Sequence, residues 1–109
     1  MQIEMTLRHV TVNTELQKRA RAKAESLLKE FPKIEFIRIV LDRVRKEYEV
    51  EYVVQHKRVP PMSGKDTNEN LITASDNAYT KVWSQLRKHY DKVAASHRER
   101  STIREPKDG

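Results

Sequence analysis

Ile34-Glu35-Phe36-Ile37-Arg38-Ile39-Val40-Leu41, followed after a charged turn by Tyr48-Glu49-Val50-Glu51-Tyr52-Val53-Val54, decides the fold. The first run is rich in β-branched residues and puts Ile37, Ile39 and Leu41 on one face, Phe36 and Val40 on the other. In the second, Tyr48, Val50, Tyr52 and Val54 alternate with Glu47, Glu49 and Glu51, as in a strand with one wet face. Asp42 to Lys46 turns the chain between them. Together the two runs predict a hairpin.

Towards the N-terminus, Ile3, Met5 and Leu7 alternate with Gln2, Glu4, Thr6 and Arg8, which predicts another strand. Asn13 suits a helix N-cap because its side chain can accept a bond from an unpaired backbone N–H, and Glu15 suits the first turn. Leu16, Ala20, Ala24, Leu27, Leu28 and Phe31 then recur at helical spacing until Pro32 stops them, so the first helix spans about Thr14 to Glu30.

Towards the C-terminus, Val59 to Asn70 is crowded with turn formers: Pro60, Pro61, Ser63, Gly64, Asp66 and Asn68. It reads either as a loop or as a short strand with proline at its entrance. Leu71, Ala74, Ala78, Val82, Leu86 and Val93 form the apolar stripe of a second helix, flanked by Tyr79, Trp83 and Tyr90. No Gly or Pro interrupts it from about Glu69 to Ala95, a length of roughly 40 Å. Beyond Ala95 the residues are basic and nearly without apolar side chains, which predicts a flexible charged tail over 96–109. The order is β-α-β-β-(β)-α in one domain over 1–95, an α+β fold with both helices on the apolar face of an antiparallel-rich sheet.

Composition narrows the function. The chain has 109 residues, 35% charged and 37% hydrophobic, and Leu, Ile, Val and Phe total only 25. A thin core follows, with no expectation of a ligand-sized cavity inside it. There are no cysteines, so disulfides and thiolate chemistry are excluded. No long apolar run opens the chain, which predicts a soluble, cytoplasmic protein without a membrane partner. Lys and Arg outnumber Asp and Glu by 22 to 16, and residues 55–109 carry +4 of the net +6, so the expected partner is a polyanion.

Catalysis finds little support. His9, His56, His89 and His97 are scattered, with no metal-ligand spacing, and two glycines cannot build a phosphate loop. In His89-Tyr90-Asp91, consecutive helical residues diverge and form no relay. The expectation is a non-enzyme with no cofactor, no metal and no small-molecule substrate. The basic residues are better ordered. Lys81, Gln85, Lys88 and Lys92 make one ridge on the second helix, while Arg87 projects towards the Trp83 and Tyr90 flank. On the first helix Arg19 and Lys23 share a flank, and Lys18 and Arg21 face outward. With the helices side by side these rows would form one cationic surface suited to a phosphate backbone; the alternative is a solvated helix face. Glu47, Glu49 and Glu51 read as the wet side of a strand or as a site for a protein partner. Trp83, Tyr79 and Tyr90 read as packing beside the core stripe or as base-stacking groups.

These features resemble the family of ribosome hibernation promoting factors and ribosome-associated inhibitors, also called sigma-factor modulation proteins. The likeness runs over about residues 1–95. It rests on the opening Met1-Gln2-Ile3 strand, Val12-Asn13-Thr14-Glu15-Leu16, Ile37–Leu41, Tyr48–Val54, and above all the run Ala74–Lys92. The resemblance implies a β-α-β-β-β-α fold like that of double-stranded-RNA-binding domains, with two helices on one face of a four-stranded sheet. It also implies a partner, the rRNA of the small ribosomal subunit, bound over the mRNA and tRNA sites to silence idle ribosomes under stress or in stationary phase. The protein would be a monomer off the ribosome. By position, the RNA contacts would be Lys81, Gln85, Arg87, Lys88 and Lys92, with Lys18, Arg19, Arg21 and Lys23. Pro60-Pro61 and Ser75 depart from the family pattern, and the chain stops short of the dimerisation domain of long-form members. A protein-interaction module acting on a transcription factor, or a general structured-RNA binder, remains open beside this reading.

Overall fold

The computed structural model describes residues 2–101, with side chains up to 93. Six elements follow one another: β1 (Ile3–Arg8), α1 (Thr14–Glu30), β2 (Ile34–Val44), β3 (Glu47–His56), β4 (Met62–Asn68) and α2 (Leu71–Ser101). The sheet order is β1-β2-β3-β4. β1 pairs with β2 in parallel, and the other two pairings are antiparallel. This is the β-α-β-β-β-α, α+β arrangement the sequence predicts.

Local chemistry explains the boundaries. The Leu16 N–H donates to Asn13 Oδ1 at 2.9 Å, so Asn13 caps α1 as expected. Asn70 caps α2, its Oδ1 accepting from the Thr73 N–H at 3.1 Å. Register then sorts the side chains. Met5, Ile39, Tyr52 and Gly64 lie in line across the sheet, as do Leu7, Leu41, Val50 and Asp66, and these point at the helices. Glu4, Arg38 and Val53, like Val40, Glu51 and Lys65, occupy the opposite face, where Lys65 lies 3.5 Å from Glu49. The acidic row of β3 is therefore the wet side of a strand. Ile37, Ile39, Val50, Tyr52 and Val54 are fully buried beneath Ala24 and Leu27 of α1 and Ala74, Ala78, Val82 and Leu86 of α2.

One open reading is settled and one boundary corrected, each with a physical cause. Residues 62–68 form a strand, with Pro60-Pro61 just outside it, where the missing N–H groups cost the ladder nothing. Its alternation is hidden because the middle inward position is Gly64, onto which α2 presses directly. A Cβ there would lie 2.6 Å from the Val82 nitrogen and closer still to the Ala78 carbonyl oxygen. α2 also continues to Ser101, past the Ala95 end suggested by the apolar stripe. No Gly or Pro breaks the chain before Pro106, so helix propensity outlasts the stripe. Positions 102–109 of the expected tail lie outside the described residues.

Ser75, which departs from the family pattern, has a partner. It is buried, and its Oγ lies 3.1 Å from the hydroxyl of the fully buried Tyr52. An aliphatic side chain at 75 would leave that hydroxyl without this bond. Burial, offset partly by the Ser75 bond, pushes the Tyr52 phenol above its usual range and keeps it protonated.

The Gly64 contact generates a test. Gly64→Ala should destabilise the fold by about 1–3 kcal/mol, the usual range for an overpacked site, read as a lower denaturant midpoint. An unchanged midpoint would mean that α2 does not rest on the β4 backbone.

Candidate nucleic-acid interface

The nine candidate residues fall into separate groups. Lys81 and Gln85 lean from α2 over the free edge of the sheet. Lys81 Nζ donates to the Lys65 carbonyl at 2.8 Å and lies 3.3 Å from Asp66 Oδ1. The Gln85 amide donates to the Ser63 carbonyl. Asn77, on the same flank, donates to Asp66 Oδ2 at 3.0 Å. The Asn77 bond, with Lys81 beside it, holds the Asp66 carboxyl below the usual aspartate range despite some desolvation. Lys88 and Lys92 continue the row, both exposed. Neither has a carboxylate within 4.0 Å among the described residues.

Arg19 and Lys23 instead sit in the seam between α1 and α2. Arg19 Nη2 is 3.5 Å from Asp76 Oδ2, and Lys23 Nζ is 3.6 Å from Oδ1. Asp76 Oδ1 is sealed from solvent and accepts no hydrogen bond, so the nearby ammonium is its compensation. Lys23 also lies 4.7 Å over the Tyr79 ring. Lys18 faces solvent, Arg21 is half-buried beside Gln2 and Ile3 on the β1 side, and Arg87 lies 3.8 Å from Asp91. The α1 pair and the α2 row therefore flank α2 from opposite sides instead of merging into one surface. Helix packing places Asp76 between them, a partner that spacing along α1 does not reveal.

These ion pairs leave the cations available. The side chains of Arg19, Lys81 and Arg87 are 50%, 54% and 53% exposed. Pairs at such exposure contribute about 0–1 kcal/mol, less than a phosphate contact that releases counterions can recover. The aromatics have a packing role. Trp83 donates from Nε1 to Glu30 Oε1 at 3.0 Å, Tyr79 meets Tyr52 edge-on at 6.0 Å, and Tyr90 packs on Phe31 at 5.0 Å. They join α1, α2 and the core.

Sequence reading missed a further basic cluster. Lys33, Lys57 and Arg58 meet His56, His89 and Tyr90 around a pocket at one end of the sheet. Its one signal was the Lys57-Arg58 pair at the end of a strand. Among the described residues, no group of three or more His, Cys, Asp or Glu is placed to hold a metal ion, and no helix is long and apolar enough to cross a membrane.

A four-stranded sheet with two helices on one face and a cationic helix flank defines the domain as α+β. The chain belongs to the Sigma 54 modulation protein / S30EA ribosomal protein family, whose sequence pattern matches residues 3–94. Among solved structures, it is similar to a ribosomal subunit interface protein from Coxiella burnetii. That likeness has a TM-score of 0.72 and 19% identity, covering 84% of this chain and 99% of that one. It is also similar to the N-terminal domain of Protein Y from Thermus thermophilus, with a TM-score of 0.70 and 18% identity, covering 82% of this chain and 99% of that one. No curated protein sequence matches.

Masking by Asp76 is measurable. Asp76→Asn removes the charge shared by Arg19 and Lys23, so the variant should elute from a heparin column at higher salt than the wild type. Elution at the same salt would show that the carboxylate does not restrain the two cations.

Proposed function

We propose that this protein is a ribosome-associated translation inhibitor that acts without catalysis. It binds rRNA in the channel of the small subunit, covers the mRNA and tRNA sites, and holds ribosomes idle under stress or in stationary phase. The observation that carries this reading is the family match over residues 3–94. The description of a similar structure as a ribosomal subunit interface protein agrees with it.

The geometry supplies a mechanism. Lys81, Lys88 and Lys92 form a row about 16 Å long on α2, whose Ala74, Ala78, Val82 and Leu86 are buried against the core. Lys81 and Gln85 are held at the β4 edge by bonds to its carbonyls, so this end of the row is ordered before any partner arrives. Lysines read the phosphate backbone as point charges and carry no base specificity, which suits a protein that occupies a site by shape and charge. Arg19 and Lys23 add a second contact zone when phosphates replace Asp76 as their partner. The protein acts as a monomer off the ribosome, within the cytoplasm.

The competing protein-interaction reading would use the acidic row of β3. There Glu49 is already paired with Lys65, which lowers the charge that face can offer.

Co-sedimentation with purified small subunits tests the proposal. The wild type should pellet with the subunits, and Lys81→Glu/Lys88→Glu/Lys92→Glu should weaken binding at least tenfold. Glu49→Gln/Glu51→Gln should bind as the wild type does. Equal binding by the triple variant, or loss in the glutamate variant, would reject the row as the contact surface.

A further inference from the structure

The end of the sheet opposite the β2–β3 turn holds a pocket of about 650 Å³, within the usual range for small-ligand sites. Its floor is a chain of hydrogen bonds. At its centre is the Tyr90 hydroxyl. That hydroxyl lies 2.7 Å from His56 Nε2, and His56 Nδ1 lies 3.0 Å from the Lys57 carbonyl. A carbonyl only accepts, so Nδ1 donates to it, while Nε2 pairs with the Tyr90 hydroxyl, which carries its own proton. Burial raises the Tyr90 phenol above its ordinary range, which keeps that proton in place. His56 is buried, and the Lys57 N–H donates to the Lys33 carbonyl at 3.1 Å. The segment before β2, the end of β3 and α2 are thus bound into one preformed cup.

Charge marks this cup out. The backbone bond between Lys33 and Lys57 sets two cationic residues side by side, and Arg58 follows directly. Among the described residues, no Asp or Glu lines the pocket. Among the described residues, none of these three cations has a carboxylate within 4.0 Å, unlike Arg19, Lys23, Lys81 and Arg87. Like charges so placed are unfavourable unless an anion joins them. Arg58 also adopts a φ of 65°, the left-handed region where glycine is at ease and a long side chain is not. An imidazole and two aliphatic side chains make the remaining wall. His89 stands edge-on to His56 at 5.4 Å, and Val59 and the exposed Val93 flank it.

We propose that this pocket binds a phosphorylated nucleoside. The phosphate is held by Lys33, Lys57 and Arg58, and the base lies against His89, Val59 and Val93. A free nucleotide and an unpaired nucleotide of an RNA share this chemistry. The site does not depend on the ribosome reading, because it uses none of the residues assigned to that contact.

The test is an NMR titration of the full ¹⁵N-labelled chain, in phosphate-free buffer, with AMP, adenosine, inorganic phosphate and single-stranded hexa-adenylate. AMP should shift the Lys57, Arg58 and His89 amides and bind at least tenfold more tightly than adenosine or phosphate alone. Hexa-adenylate binding the same amides tenfold more tightly than AMP identifies RNA as the source; affinities within threefold identify a free nucleotide. Either result supports the site. Lys57→Ala and Arg58→Gly should each weaken AMP at least threefold. Arg58→Gly suits the local backbone, so its melting temperature should hold or rise. Lys81→Glu, far from the pocket at the β4 edge, should leave AMP binding intact while weakening the ribosome contact, which separates failure of this site from failure of that one. Absence of shifts at the pocket amides with both AMP and hexa-adenylate would overturn the proposal. So would unchanged AMP affinity in the Lys57→Ala/Arg58→Gly double variant.

Discussion

The close descent of α2 onto the backbone of β4 is the constraint on which the remaining structure rests. With so few large aliphatic residues, this protein cannot fill a thick layer between helix and sheet. It brings the layers together instead, setting the backbone of Ala78 and Val82 of α2 directly over Gly64. Short side chains allow dense dispersion contacts with little apolar volume. The same approach decides where the charges go. At this height the Lys81 and Gln85 side chains reach the β4 carbonyls, and Asn77 reaches Asp66. A helix held farther off would let them wander in solvent.

Much of this fold was legible in the sequence because its signals were local. Strict alternation at Tyr48–Val54 could only be a half-wet strand, and Asn13 marked the start of α1 by its own capping chemistry. β4 was obscured for a non-local reason. Its Gly64 looks like a turn former until the helix above it is known, and a single strand shows no trace of the partner that excludes its side chain. The end of α2 was obscured because an apolar stripe reports burial, and a helix can continue where burial stops.

The candidate interface was legible to a similar depth. Helical spacing placed Lys81, Gln85, Lys88 and Lys92 on one flank. It did not show Asp76 facing Arg19 and Lys23 across the helix seam, since that contact joins positions more than fifty residues apart. The pocket of Lys33, Lys57 and Arg58 draws on three distant segments, and no periodicity connects them. The two basic regions adjoin at the far end of α2, where Lys88 and Lys92 alternate with His89 and Val93 around the helix. Net charge alone would have treated them as one property. Their pairing differs: Asp66 lies beside Lys81 in one, and among the described residues no carboxylate lies within 4.0 Å of the cations of the other.

In the proposed function a row of cations, anchored at its Lys81 end by helix docking, meets the phosphates of the small ribosomal subunit. The most direct measurement is the affinity of the wild-type protein for purified small subunits as a function of monovalent salt. Three phosphate contacts predict a slope of log K against log salt of about −2 to −3. A slope near zero at measurable affinity would mean that the protein binds, if it binds there, by other means than this row.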